Sequence, residues 1–415
     1  MRNNFIEVLK TRNFIKIWGS QVLSQFTVNL LNFVLILKIF QNTHSTVAVS
    51  IFWFFWALPA IFLGPFSGTL IDFLGTRRIL ILANLFQAVV VLFYLFVGSS
   101  VWPIYSILLL YSLLNQFYLP AEAATLPGAV AKRLLPAANS LFLFTTYAAL
   151  ILGYGFAGPL IKLIGHQFPF VFGSLMLILA AMAVWLLPAQ IFSKTTTKKH
   201  IASVPKFLKK LNEGYQFIRT NPNVLLPLLL LVFSQIILSV IAVLGPALVV
   251  KILKTDLLNI GERLILPIGL GGIVGMAVTV KLLRNVRKIR LINVGYFLLS
   301  ISLFALVLAV PHLSPVFKIL GEVLLGFLSG FAFSLFTLPT QTLLQEKTPD
   351  KLRGRVFGVL GFMITLASVF PVLFSATIGE FLGEIWMILI LASVIFIIGL
   401  VSLKGDDVIF RFNRS

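Results

Sequence analysis

Four side-chain amides, Gln21, Gln25, Asn29 and Asn32, follow one another at steps of four, four and three residues. At a helical period that spacing lays them on one face, where they offer donors and acceptors to a polar solute or to neighbouring helices. A second face carries Tyr111, Asn115, Tyr118 and Glu122, with Gln116 beside it, and Gln235 with Ser239 makes a shorter one. Amides and phenols in this pattern bind by hydrogen bonding and stacking; they do not make or break bonds. The groups that catalysis needs are not gathered anywhere. His44, His166, His200 and His312 lack metal-ligand spacing and a partner carboxylate, and the absence of Cys excludes thiolate chemistry, disulfides and Cys-ligated metal. No catalytic residue, metal site or cofactor is therefore expected, and without a Walker A sequence the chain does not hydrolyse ATP.

Two carboxylates stand out because they fall in apolar stretches, Glu322 and Glu122. A charge at the centre of a bilayer costs about 2.5–3.5 kcal/mol, so each is a candidate for carrying a coupling proton. Both have plainer readings. Glu322 lies one turn from Lys318 and can form an interfacial ion pair with it, while Glu122 can be solvated at the end of its helix.

These side chains need elements that hold them in hydrocarbon. Of 415 residues, 59% are hydrophobic and 11% charged, and the mean hydropathy is +1.02. A soluble domain carries about 25% charged residues, so most of this surface faces lipid. The formal charge of +20 raises a nucleic-acid partner, which is set aside because the charges sit in short loops between apolar runs. A membrane-crossing helix needs about 20 apolar residues. Twelve stretches qualify: 14–40, 46–71, 79–98, 101–121, 138–164, 168–188, 223–250, 262–283, 289–310, 315–339, 355–379 and 383–403. They are long and continuous, unlike the short alternating strands of a membrane barrel. The first exceeds the apolar core of a secretory signal, about 7–15 residues, and is expected to be retained.

The placement of Lys and Arg sets the orientation. With the N-terminus inside, the opposite loops keep only Lys38, Lys162, Lys251, Lys254, Arg263 and Lys318 of the 33 basic residues. Both termini are thus expected in the cytoplasm, in a multi-pass protein of the cell (inner) membrane. The organisation expected is a six-helix bundle over 1–188, a basic cytoplasmic linker over 189–222, a second bundle over 223–403 and a cytoplasmic tail over 404–415. The linker, with Lys194, Lys198, Lys199, Lys206, Lys209, Lys210 and Arg219, is either a solvated connection or an amphipathic helix over 205–219 lying on anionic headgroups. The bundles look repeated in parallel. Pro120 and Gly165 in the first half match Pro339 and Gly383 in the second at nearly equal intervals, with a basic segment between each pair.

Between spans 2 and 3 the chain reads Gly68-Thr69-Leu70-Ile71-Asp72-Phe73-Leu74-Gly75-Thr76-Arg77-Arg78. This resembles the loop signature of the major facilitator superfamily, matching at Gly68, Asp72, Gly75 and Arg77 and departing at Phe73 and Thr76. The resemblance implies that Asp72 locks one arrangement of the protein by facing the start of span 11, where Arg353 and Arg355 stand. Gly153-Tyr154-Gly155-Phe156-Ala157-Gly158-Pro159 in span 5 is similar to the antiporter motif of that superfamily, with Gly158 and Pro159 as its core and Lys162 replacing a later glycine. The segments from Leu126 to Ser140 and from Thr348 to Val356 look like the branch of macrolide-efflux and enterobactin-export proteins. Relatives in that branch carry an acidic residue in span 1 near the position of Thr27, so a proton site there is missing.

The fold that this resemblance implies is all-α, with twelve spans in two pseudo-symmetric bundles and the polar residues of spans 1, 4, 7 and 10 against the substrate. The expected activity is ion-gradient-driven export of an amphipathic small molecule by alternating access, with a proton as the coupling ion and the protein a monomer in the bilayer. A lysophospholipid or other lipid carrier, or an importer of the same fold, is the alternative. Gly64-x-x-x-Gly68, Gly271-x-x-x-Gly275, Gly326-x-x-x-Gly330 and Gly354-x-x-x-Gly358 are read as close-packing faces between helices.

Overall fold

The computed structural model describes the backbone of residues 2–188 and 204–411, and the side chains of 5–63, 75–188, 212–350 and 352–401. Within them lie 12 helices long and apolar enough to cross a membrane. Spans 1 to 6 are Arg12–Thr43, Thr46–Leu63, Thr76–Phe96, Trp102–Ala129, Lys132–Ile164 and Phe168–Trp185. Spans 7 to 12 are Pro222–Ile252, Leu257–Leu282, Lys288–His312, Pro315–Lys347, Leu352–Leu382 and Glu384–Val401. Hydrocarbon offers no partner to backbone N–H and C=O groups, so each apolar run closes its hydrogen bonds within itself as a helix. Large side chains such as Phe62, Phe96, Trp102, Phe374 and Phe381 are exposed on the outer faces, as lipid-facing positions should be.

Two boundaries differ from the sequence reading for one reason. Spans 4 and 10 do not end at Pro120 and Pro339 but run on to Ala129 and Lys347, with the prolines inside the helix. Proline is tolerated inside membrane helices because neighbouring groups take up the freed carbonyl. Glu122 consequently lies within a helix and not at its solvated end. The helix containing span 12 likewise continues to Arg411, through most of the segment expected to be a tail.

The chain gathers into two compact units, one of residues 1–43 and 51–202, the other of residues 44–50 and 203–415. In the first, span 1 packs on spans 5 and 6, and span 3 on spans 4 and 6. In the second, span 7 packs on spans 11 and 12, and span 9 on spans 10 and 12. The same pairings therefore recur six spans later. The repeat extends to single residues. Gly165 and Gly383 both close their helices at positive φ (102° and 97°), each donating its N–H at 2.9 Å to the carbonyl four residues back. A left-handed terminus of this kind suits glycine, which has no Cβ to clash.

The linker contains a helix, Val204–Thr220, and that helix has a protein partner. Glu213 pairs with Arg355 at 2.9 Å. A Cβ at Gly214 would come within 2.8 Å of the Arg355 carbonyl oxygen. Ile218 is buried with Val224, Leu228, Leu344 and Val356. This face of the helix docks on span 11. Lys194, Lys198, Lys199 and the side chains of Lys206, Lys209 and Lys210 lie outside the described residues.

Candidate functional site

The first unit has a polar interior where spans 1, 3 and 4 meet around Ile17, Ala83, Tyr118 and Ala121. Ser24 donates to the Asn84 Oδ1 at 2.9 Å. One helix away, the Tyr118 hydroxyl donates to the Glu122 Oε1 at 2.8 Å, with Ser20 and Ser24 beside the phenol. Glu122 is only 6% exposed and, among the described residues, makes no ion pair; the group that donates to it is a neutral hydroxyl. Elsewhere on spans 1 and 3, Gln21 Oε1, Thr27 Oγ1, Asn84 Nδ2 and Gln87 Nε2 are buried without a protein partner. Each such group costs about 1–3 kcal/mol when left unmatched, and the Ser24–Asn84 bond ties the two helices that carry them. Asn84 and Gln87 were not singled out from sequence. The signal was there, as two amides three residues apart in an apolar span.

Glu322 is buried more deeply, at 1% exposure, but in different company. Arg263 of span 8 reaches its Oε2 at 3.4 Å and Thr255 donates to its Oε1 at 3.0 Å. The expected partner, Lys318, is not the one used. A lysine one turn away on the same helix is visible in sequence, whereas an arginine brought in by a second helix is not.

The amide stripe of span 1 divides. Gln21 is buried and donates to the Phe142 carbonyl at 3.0 Å and to Thr146 at 3.4 Å, both in span 5. Asn29 donates to the Gln25 carbonyl of its own helix at 2.7 Å and backs onto Gly153, where a Cβ would stand 2.8 Å from that of Asn29. The glycine-rich stretch of span 5 thus lets the helix press against span 1, with Gly158 buried and Pro159 inside the helix. Asn32 is buried, while Gln25 keeps part of its surface. On span 4, Tyr111 is buried under Trp56, their rings 6.2 Å apart and stacked. Asn115 and Gln116 are partly exposed, and so is Gln235, which donates to Ser239 at 3.3 Å.

The loop signature also separates into parts. Gly75 begins span 3 at φ 82°, ψ 139°, a conformation held almost only by glycine. Arg77 donates to the Trp185 carbonyl at 2.6 Å, and Lys16 to the Leu186 carbonyl at 2.8 Å. Two cations thereby close the C-terminal end of span 6, where free carbonyls and the helix dipole attract positive charge. The side chains at Gly68 and Asp72 lie outside the described residues. Arg353 and Arg355, which the resemblance sets beside Asp72, hold Asp350 at 2.7 Å and Glu213 at 2.9 Å.

The small-residue faces act unevenly. A Cβ on Gly271 would overlap the Phe327 carbonyl, and one on Gly330 the Ile268 carbonyl, so spans 8 and 10 touch backbone to backbone. Gly354, by contrast, has open space around it, and packing does not account for it; Gly64 lies outside the described side chains.

Comparison with known proteins agrees with this architecture. The family model described as Major Facilitator Superfamily matches residues 17–370. The chain is 27% identical over 384 residues to the MFS-type transporter YfiS of Bacillus subtilis (strain 168), covering 90% of this chain and 88% of that one. It is 24% identical over 386 residues to macrolide efflux protein A of Streptococcus pyogenes, covering 89% and 90%. The crystal structure of the nucleoside transporter NupG superposes with a TM-score of 0.69 at 14% identity, over 94% of this chain and 98% of that one.

Proposed function

The chain belongs to the Major Facilitator Superfamily, and on that premise we propose that it is a proton-driven exporter of an amphipathic small molecule, working by alternating access in the cell membrane with both termini cytoplasmic. Glu122 carries the coupling proton. The observation behind this is the contrast between the two buried carboxylates: Glu322 has an arginine, whereas Glu122 has a tyrosine hydroxyl with Ser20 and Ser24 beside it. A carboxyl that must change charge during a cycle needs neighbours able to reorganise around both forms, and hydroxyls and amides can donate or accept as required. A fixed arginine favours one form only.

Export is supported by the similarity to macrolide efflux protein A. The substrate class follows from the side chains that keep open polar surface, Gln25, Asn115, Gln116 and Gln235, together with abundant aromatic residues. Asp72 is assigned the gating role that the loop signature carries in the family. The test is uptake of a panel of fluorescent lipophilic dyes into inside-out vesicles, with and without an imposed pH gradient. Gradient-dependent accumulation supports the proposal; the absence of accumulation for every dye tells against both the direction and the substrate class.

A further inference from the structure

The second unit ends, away from its linker helix, in a recess of about 380 Å3 that the transport reading does not use. Lys254, Arg263 and Lys318 line it, with a single carboxylate, Asp256, and with Pro315 at the start of span 10. Asp256 is occupied by its own loop, accepting the Leu258 N–H at 2.9 Å. Arg263 gives one guanidinium nitrogen to Glu322 and retains the others of its five N–H groups. The ammonium groups of Lys254 and Lys318 make no hydrogen bond or ion pair among the described residues.

Two further observations point the same way. Lys254 sits at φ 48°, a left-handed conformation uncommon outside glycine and asparagine, and backbone strain of this sort collects at binding sites. Span 10 is part of a 33-residue helix whose first turn receives no side-chain cap from Ser314, so its free N–H groups and positive dipole end lie at the same recess. Immediately along the outside of span 10, Val316, Phe317, Leu320 and Leu324 are all exposed, Val316 by 68%. This apolar stripe faces the hydrocarbon.

We propose that this recess binds a phosphate diester, the headgroup of an anionic phospholipid, with its acyl chains along the stripe. The cations and the helix N-terminus supply the recognition; the stripe favours the lipid over free phosphate as the source.

The experiment is native mass spectrometry of the delipidated protein titrated with phosphatidylglycerol, phosphatidylcholine or inorganic phosphate. The wild type and the Lys254→Gln/Lys318→Gln variant are compared, both checked for equal melting temperature. The wild type should retain phosphatidylglycerol in preference to phosphatidylcholine, and the double variant should weaken that binding roughly 25-fold. Binding of inorganic phosphate that depends on the same two lysines and displaces the lipid would support the phosphate site with a free anion as its source. Equal retention of phosphatidylglycerol by the variant, or no binding of either lipid or phosphate, would overturn the proposal.

Discussion

Replacing Arg263 by Gln should damage the protein more than replacing Glu322 by Gln, although both changes break the same ion pair. The carboxylate is 1% exposed and the arginine 26%. Without Arg263, a buried negative charge is left with the Thr255 hydroxyl at 3.0 Å, a loss of about 3–5 kcal/mol for an uncompensated buried charge. Without Glu322, the guanidinium can turn to the recess and hydrate, and the new amide still accepts from Thr255, so about 1 kcal/mol is lost. At about 2–4 °C per kcal/mol for a unit of this size, Arg263→Gln should lower the melting temperature by about 6–20 °C. Glu322→Gln should lower it by only a few degrees. The Arg263→Gln/Glu322→Gln double variant should melt above Arg263→Gln alone, because it removes the stranded charge. Intrinsic fluorescence of the 6 Trp in detergent reads all three. Equal losses from the two single changes, or a double variant below both, would refute the reasoning.

Further consequences follow from the packing. Gly330→Ala forces a Cβ into the Ile268 carbonyl, while Gly272→Ala finds its nearest atom, Ser334 Oγ, 3.8 Å away. The first should cost about 1–3 kcal/mol or more and the second almost nothing in the same melting assay. Gly75→Ala, at φ 82°, should lose about 1–3 kcal/mol, whereas Gly354→Ala, in open space, should melt as the wild type does. Arg77→Gln should raise hydrogen exchange in the last turn of span 6, with Lys16→Gln adding to it, since both cations hold that terminus; unchanged exchange in the double variant would dismiss the capping role.

Hydropathy made the twelve spans legible because each crosses hydrocarbon alone, and that requirement is local. The ends were less legible. Pro120 and Pro339 read as stops by the rules for soluble helices, yet both lie within membrane helices. The repeat was visible in Gly165 and Gly383, because a left-handed helix terminus demands glycine wherever it occurs. Partners across helices were not visible: Glu322 meets Arg263 and not Lys318, and Gln21 is taken up by the Phe142 carbonyl. Polar patterning found the span 1 stripe and the span 4 face; Asn84 and Gln87 of span 3 were legible as two amides in an apolar run, but the bond that joins Asn84 to Ser24 of span 1 was not.

The proton assignment is tested most directly by Glu122→Gln in inside-out vesicles, with dye accumulation measured under an imposed pH gradient and dye exchange measured without one. The Gln variant keeps the bond from Tyr118, so exchange should persist while gradient-driven accumulation is lost. Accumulation at the wild-type level in Glu122→Gln would contradict the account and remove Glu122 from the coupling step.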